Sequence, residues 1–319
     1  MACGLAMAGV VGAPSAWAQH DGWPARPVRL VVNFPPGSSP DVLARAISAP
    51  LSQALGQPVI VDNRAGASGM IGAELVAKAP PDGYTLLMTA GSTITTNPFI
   101  YPKMAYDTGK DFVPVAAAAR VALFLVIKPD LPVKNFKEFL AYMKANPGKL
   151  SYGSAGNATG LHLAGEMLQS EGGVHAVHVP YKGASPALQD LLAGQIDFYF
   201  DPGIALGQVR AGKLRMLGVA VKHRSSAFPD VPTLDEAGLK GFDAGTTHGF
   251  YAPTGTPAEV VAKLNREINK ALALPNVRAQ IATIGAEPTP LTPDQFAAVM
   301  AEDSKRYGAL IRARNIKAD

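Results

Sequence analysis

The sequence predicts a two-lobed α/β protein in which each lobe is a doubly wound sheet. Three observations carry this. The opening third alternates strand and helix patterns in the order βαβαβ, which implies a parallel sheet with right-handed crossovers. A second alternating series begins after Pro129-Asp130. The last stretch has helices without strands of their own, so they are expected to return to the first lobe, and the chain to cross between lobes twice. With 319 residues, 48% hydrophobic and 17% charged, the chain can bury two cores of ordinary size.

In the first series, residues 28–34 read as a strand, 35–40 as a Gly/Ser/Pro loop, and 41–55 as an amphipathic helix ended by Gly56. A strand at 59–61, a Gly-rich turn at 64–69 and a helix at 71–78 follow. Pro80-Pro81-Asp82-Gly83 marks a turn before the strand 84–89. The apolar run 113–127 is interrupted by Pro114 and Arg120 and falls short of the roughly 20 residues of a spanning helix. Its β-branched content predicts one long buried strand crossing between lobes.

The second series has helices at 135–146, 161–169, 186–193 and 205–211, and strands at 150–154, 176–179, 196–200 and 214–221. Beyond it, 229–245 is loop-rich, 250–253 is a short strand, and 257–272 is a helix opened by Pro257. A terminal helix, 294–314, follows Thr292-Pro293. The division expected is 24–122 with 231–319 as lobe 1, and 123–230 as lobe 2.

Residues 1–18 read as an export signal, with an apolar core at 5–13 and Ala16-Trp17-Ala18 before Gln19. No Lys or Arg precedes the core, which suggests that the start is truncated. Cys3 lies inside the signal, so the mature chain is expected to lack thiols, disulfides and Cys-based metal sites. The net charge of +4, from 29 basic and 25 acidic residues, is compatible with an anionic small ligand. No Lys/Arg cluster forms the stripe that nucleic-acid binding needs.

Candidate chemistry sits in loops at strand ends. In Asn33 to Asp41 a strand leads through Pro36, Gly37, Ser38 and Ser39 into a helix start, a place where free amides and the helix dipole favour an anion. The same residues also fit an ordinary βα turn with Asp41 capping its helix. The stretch Ser151 to Thr159, with Ser154, Ala155, Gly156, Asn157 and Thr159, repeats the construction, and Thr89-Ala90-Gly91-Ser92-Thr93 makes a third. Ligands of open α/β sheets sit beyond the carboxyl ends of strands, so three such loops favour binding. Asp201 either meets the ligand or caps the Pro202-Gly203 turn.

Enzyme readings find less. Ser154, His162 and Asp201 lack a G-x-S-x-G elbow, and His162 falls inside a helix. His175 and His178 are three apart, on opposite faces of a strand, which makes a metal pair improbable. Neither a G-x-G-x-x-G nor a Gly-Lys-Ser/Thr loop is present, and no cofactor is expected.

Several motifs in order resemble the Bug family, the extracytoplasmic receptors of tripartite tricarboxylate transporters. They are Trp23-Pro24 with Arg26-Pro27-Val28, Phe34-Pro35-Pro36-Gly37 through Asp41, Asp62-Asn63-Arg64-Ala65-Gly66, Asp82-Gly83-Tyr84, Tyr152-Gly153-Ser154-Ala155-Gly156, Val179-Pro180-Tyr181-Lys182-Gly183, and Ala252-Pro253 with Gly255-Thr256-Pro257. The resemblance implies a periplasmic, monomeric, non-enzymatic receptor with a Venus-flytrap fold. It implies a small carboxylate, a dicarboxylate or an amino acid among them, held by backbone amides and waters at 36–39, 89–93 and 154–159. Asp201 would lie near the variable end of the ligand. The transport partner implied is a membrane assembly of one large and one small subunit; a sensor passing lobe closure to a signalling protein is the alternative. Three departures stand out: Ser38 and Ala158 where the family usually has Gly, and the loss of a common Trp around Thr247-His248.

Overall fold

The computed structural model describes residues 22–225 and 228–317; the predicted export signal and Cys3 lie outside them. The first part of the chain runs β1 (Val28–Val32), α1 (Ser39–Leu55), β2 (Val59–Asn63), α2 (Met70–Ala77), β3 (Thr85–Thr89), α3 (Ser92–Thr95), α4 (Asn97–Ile100) and β4 (Phe112–Val121). The second runs β5 (Phe124–Ile127), α5 (Phe136–Ala145), β6 (Ser151–Ser154), α6 (Gly160–Gly172), β7 (Val177–Pro180), α7 (Ala184–Leu192), β8 (Phe198–Asp201), α8 (Leu206–Arg210) and β9 (Arg215–Val219). The last runs β10 (Thr246–Pro253), α9 (Ala258–Ala273), α10 (Pro275–Ala282), β11 (Glu287–Pro288) and α11 (Pro293–Arg314).

Two sheets organise these elements, in the orders β11-β4-β10-β3-β1-β2 and β7-β6-β8-β5-β9. Strands β1, β2 and β3 pair in parallel, as do β6, β7 and β8. Both sheets are mixed rather than parallel throughout. The strands next to the lobe crossings, β4, β10 and β5, run antiparallel to their neighbours, because a chain entering a lobe from the other one arrives at the opposite end of its sheet.

The expectation of one long strand over 113–127 is corrected. The run breaks at Ala122-Leu123, and its two halves pair in different sheets, so the crossing is made by two buried residues between strands. The chain returns between β9 and β10. The expectation that the C-terminal helices have no strand of their own beyond 250–253 also needs correction. The two-residue β11 closes the edge of the first sheet against Arg120 and Ala119, a pairing too short to leave a periodic signal.

Alternation along β1 fixes both faces of the first sheet. Leu30 packs with Leu43, Ile47, Leu264 and Ile268 from α1 and α9, whereas Val31 packs with Ala73, Val76, Phe296 and Met300 from α2 and α11. The C-terminal helices therefore do return to the first lobe. The second lobe has its own core, around Phe124, Phe139, Tyr152, Phe198 and Phe200. A further apolar cluster joins the two: Ala158 and Leu163 of the second lobe pack with Ile100, Tyr307 and Ile311 of the first. Among the described residues no helix is long and apolar enough to cross a membrane.

Candidate functional site

The loop after β1 is built by its own polar residues. Asn33 is fully buried and donates to Gly69 O at 2.8 Å and to Thr93 Oγ1 at 3.1 Å, tying three strand-end segments together. Gly37 turns the chain with φ of 77°, a conformation that favours glycine. Its amide donates to Asp41 Oδ2 at 2.9 Å, while Arg45 Nε and Asn63 Nδ2 donate to the same carboxylate at 3.0 and 2.9 Å. Burial would raise the Asp41 carboxyl, but these bonds and the Arg45 charge outweigh it and hold it below the usual carboxylate range. The result leaves Ser38 as the N-cap residue of α1, its side chain making no capping bond.

The matching loop after β6 is held from behind. Ser154 Oγ lies 2.7 Å from His178 Nε2, and the His178 ring stacks on His162 at 4.0 Å and 3°. His162 Nδ1 accepts from the Ala158 amide at 3.2 Å, so this nitrogen is unprotonated. Burial, then the neighbouring His178, pushes the His162 imidazole down to about 3. Thr159 caps α6 without a side-chain bond to the first turn; its hydroxyl instead donates to Gly156 O at 2.7 Å.

Between these loops the lobes enclose a cavity with about 30 Å³ of free volume. Its wall includes Ser38 and Ser39 at the start of α1, Thr159, Gly160 and Leu161 at the start of α6, and Ala184 at the start of α7. The remainder is Phe34, Pro40, Ala90, Ser92, Leu123, Ala155, Pro202, Thr246 and His248. No Lys, Arg, Asp or Glu belongs to this wall. The starts of three helices thus border one small space, where positive dipole ends and the free amides of a first turn favour an anion. His248 lies on β10 with Nε2 3.0 Å from Ser39 Oγ, and burial pushes its imidazole down to about 3, which keeps it neutral.

Five residues singled out from the sequence reach the wall: Ser38, Ser39, Ser92, Ala155 and Thr159. Others shape it from outside. Pro36 O accepts from Ser185 Oγ of the second lobe at 3.4 Å, Asp41 clamps Gly37, and Thr93 anchors Asn33. Thr89 donates to the neighbouring Ala90 carbonyl at 3.2 Å. A Cβ on Gly91 would stand 2.5 Å from Thr246 Oγ1, and one on Gly156 2.7 Å from Ser68 Oγ, so both glycines permit close packing. Ser154 joins the His178 contact, and Asn157 O accepts from Tyr101 OH at 3.2 Å. Asp201 caps its turn. It accepts from the Gly203 and Ala205 amides at 2.9 and 3.0 Å and from the Tyr199 hydroxyl, and burial still pushes it up to about 6.

Sequence reasoning missed Thr246 and marked His248 only as part of a departure at Thr247-His248; both reach the wall because β10 inserts antiparallel beside β3. It also missed Leu123, Gly160, Leu161, Ala184 and Pro202. Gly160, Ala184 and Pro202 lie next to flagged loops or helix starts, a signal that extending each motif by one or two residues would have caught.

A larger cavity, about 420 Å³, opens elsewhere, between the end of β4 and α11. Its acidic wall residue Asp243 pairs with Arg120 at 3.1 Å, and Asp303 pairs with Arg306 at 2.9 Å. These charges neutralise one another at the lobe junction, and no helix start of the kind found in the cleft serves it.

Residues 43–316 match the model of the tripartite tricarboxylate transporter family receptor. The chain belongs to that family. It is 42% identical over 301 residues to the UPF0065 protein in the tcbD-tcbE intergenic region of Pseudomonas sp. strain P51, covering 94% of this receptor and 89% of that protein. BugT of Bordetella pertussis is 38% identical, over 98% and 95% of the two chains. Among solved structures, periplasmic binding protein BugD superposes with a TM-score of 0.88 at 34% identity, over 93% and 100% of the two chains. MatC from Rhodopseudomonas palustris with bound malate superposes at 0.86 and 35%, over 91% and 100%. A further R. palustris structure, with adipate, superposes at 0.89 and 35%, over 92% and 99%. The family consists of solute receptors, not enzymes.

Against that family the three departures acquire structural meaning. Ser38 has φ of −72°, so its side chain adds no strain but places a hydroxyl at the wall of the receptor's cavity. Ala158 keeps φ of 67°, the left-handed region that a glycine adopts freely. Thr247 and His248 are both buried, and His248 supplies a neutral imidazole to the cleft.

Proposed function

We propose that this receptor works in the periplasm, capturing a small carboxylate between its lobes and delivering it to a membrane transporter of one large and one small subunit. The observation that carries the reading is the cavity at which α1, α6 and α7 begin, with no charged side chain in the wall. A carboxylate there would accept hydrogen bonds from first-turn amides and gain from three helix dipoles. Such a site favours a compact anion without needing a buried cation.

The lobes are 24–122 with 231–319, and 123–230. In the closed arrangement they touch on both flanks of the cleft: Thr96 donates to Ala158 O, and Ser185 to Pro36 O. The enclosed volume suits one or two waters, so ligand entry requires the lobes to part and closure on an acid leaves them somewhat wider. Ser38, Ser39, Ser92, Ala155 and Thr159 line the ligand, and Pro36, Gly37, Asp41, Thr89, Gly91, Thr93, Ser154, Gly156, Asn157 and Asp201 hold the loops that present it. The malate and adipate found with two relatives fit a site for small acids.

The test is thermal unfolding with a panel of mono- and dicarboxylates, followed by calorimetry. A bound acid at 100 times its Kd should stabilise the folded state by about 2.7 kcal/mol through mass action. A flat response to the whole panel would overturn the proposal.

A further inference from the structure

The cavity wall holds two polar atoms that the fold leaves without partners. Ser38 Oγ and His248 Nδ1 are both buried and make no hydrogen bond. The residues are 2% exposed each, and both line the cleft. The His248 ring lies against the same segment of the wall as Ser38, because Ser39, the chain neighbour of Ser38, lies 3.0 Å from His248 Nε2. Buried polar groups normally find partners, and an orphan costs more than the net worth of a bond. Two such atoms on residues of one cavity wall point to a polar ligand group as their partner.

The chemistry of the wall narrows that group. An ammonium would need an acidic partner, and none lines the cavity; the nearby Asp201 already accepts from two amides and the Tyr199 hydroxyl. A second carboxylate would bring a second negative charge into a space with no cation, where the helix starts already serve the first. A neutral group remains. The His248 tautomer decides whether Nδ1 donates or accepts, since Nε2 and Ser39 Oγ can share their proton either way. A carbonyl only accepts, whereas a hydroxyl both donates and accepts, and so completes the site in either tautomer.

We infer that the receptor selects a hydroxy acid, its hydroxyl held between Ser38 Oγ and His248 Nδ1 while its carboxylate faces the helix starts. This rests on the carboxylate reading above and goes beyond it by naming the second recognised group.

The experiment uses two matched series measured by calorimetry on the whole receptor: propanoate, lactate and alanine, then succinate, malate and aspartate, with each enantiomer separate. In whichever series binds, a hydroxy acid should bind about tenfold or more tighter than the unsubstituted and amino acids. Ser38→Ala and His248→Phe should each reduce that ratio to within about threefold, and His248→Gln, which keeps a donor and an acceptor, should restore part of it. Ser38→Ala changes little volume, so its ratio remains readable even if the His248 variants fold poorly. Binding with no hydroxyl preference would overturn the inference and leave the carboxylate reading standing. A hydroxyl preference unchanged in Ser38→Ala and in folded His248→Phe would overturn the assignment to these residues. No binding by any acid would overturn the carboxylate reading, and this inference with it.

Discussion

The two walls of the cleft are built from the same strand-loop-helix plan and held in opposite ways. The first-lobe wall is fastened inside its own lobe: the Asp41 carboxylate clamps the Gly37 amide, Arg45 and Asn63, all from one side of the cleft. The second-lobe wall leans on a stacked imidazole pair and on the other lobe. His162 accepts from the Ala158 amide, while Thr96 and Tyr101 of the first lobe donate to the carbonyls of Ala158 and Asn157. The first half-site is therefore expected to keep its shape when the lobes part, and the second to settle as they close. That division suits a receptor that must first catch a solute and then report its capture by closing.

Acid has the largest expected effect and reaches both walls: His162 backs the second-lobe loop, whereas His248 lies on β10 of the first lobe. His162 and His248 both have imidazoles pushed down to about 3, so in the folded state they stay neutral where unfolded histidine takes up a proton. Their stability is fully present above pH 6.5 and is lost as pH falls toward 3. Asp201, pushed up to about 6, works in the opposite sense: its folded form keeps a proton that the unfolded carboxyl loses above its ordinary value. Between pH 6 and 4 the unfolded state holds two extra protons from the histidines and one fewer from Asp201. The net of one proton predicts a loss of roughly 1.4 kcal/mol per pH unit from these groups, on the order of 3 kcal/mol across the window. Urea unfolding at several pH values checks this. His162→Gln should flatten the profile, and an unchanged slope would break the link to the second wall.

Removing the clamp attacks the first wall alone. Asp41→Ala leaves the Gly37 amide and Asn63 amide without their acceptor and should cost about 2 kcal/mol of stability, read by urea unfolding, with ligand affinity falling as well. Thr96→Val with Tyr101→Phe instead removes the two bonds that cross the cleft to Ala158 O and Asn157 O, together with the Thr96–Ser92 and Tyr101–Ser68 bonds inside the first lobe. At about 1 kcal/mol net, the loss of the cross-cleft pair should weaken ligand binding roughly fivefold, mainly through faster release, while the Asp41 clamp stays intact. Stopped-flow release rates decide it. If Asp41→Ala and the double variant affect release alike, the preformed and closing walls are not distinct.

Ala158→Gly should have the smallest effect. Relief of the left-handed backbone, about 1 kcal/mol, is offset by the lost methyl in the cluster between the lobes, about 0.8 kcal/mol, and by added chain entropy. The net change in urea unfolding should stay within about 1 kcal/mol. A larger loss would show that the methyl, and not the backbone, shapes this loop.

How much of this could be read before the structure depends on whether the determinants are local. The strand-loop-helix order is written in local residue patterns, which place the helix starts at Asp41 and Leu161, one or two residues late, and the family motifs lie in the same loops. The break at Ala122-Leu123 was hidden because both halves of the run are equally apolar; only pairing in separate sheets divides them. His248 was visible as a departure from the family, but its place beside Ser39 depends on the register of β10 against β3 and β4, which no local pattern encodes. Asp41 shows the opposite failure. Its position marked the loop correctly, while its carboxylate serves the Gly37 amide instead of the cavity.

The most direct test of the account is a crystal structure of the receptor grown with an acid that stabilises it. The account predicts the carboxylate oxygens within hydrogen-bond distance of first-turn amides of α1 and α6, in the cavity bounded by Ser38, Thr159 and His248. An acid seated instead among Arg120, Asp243 and Arg306 at the lobe junction, with the cleft closed and empty, would contradict it.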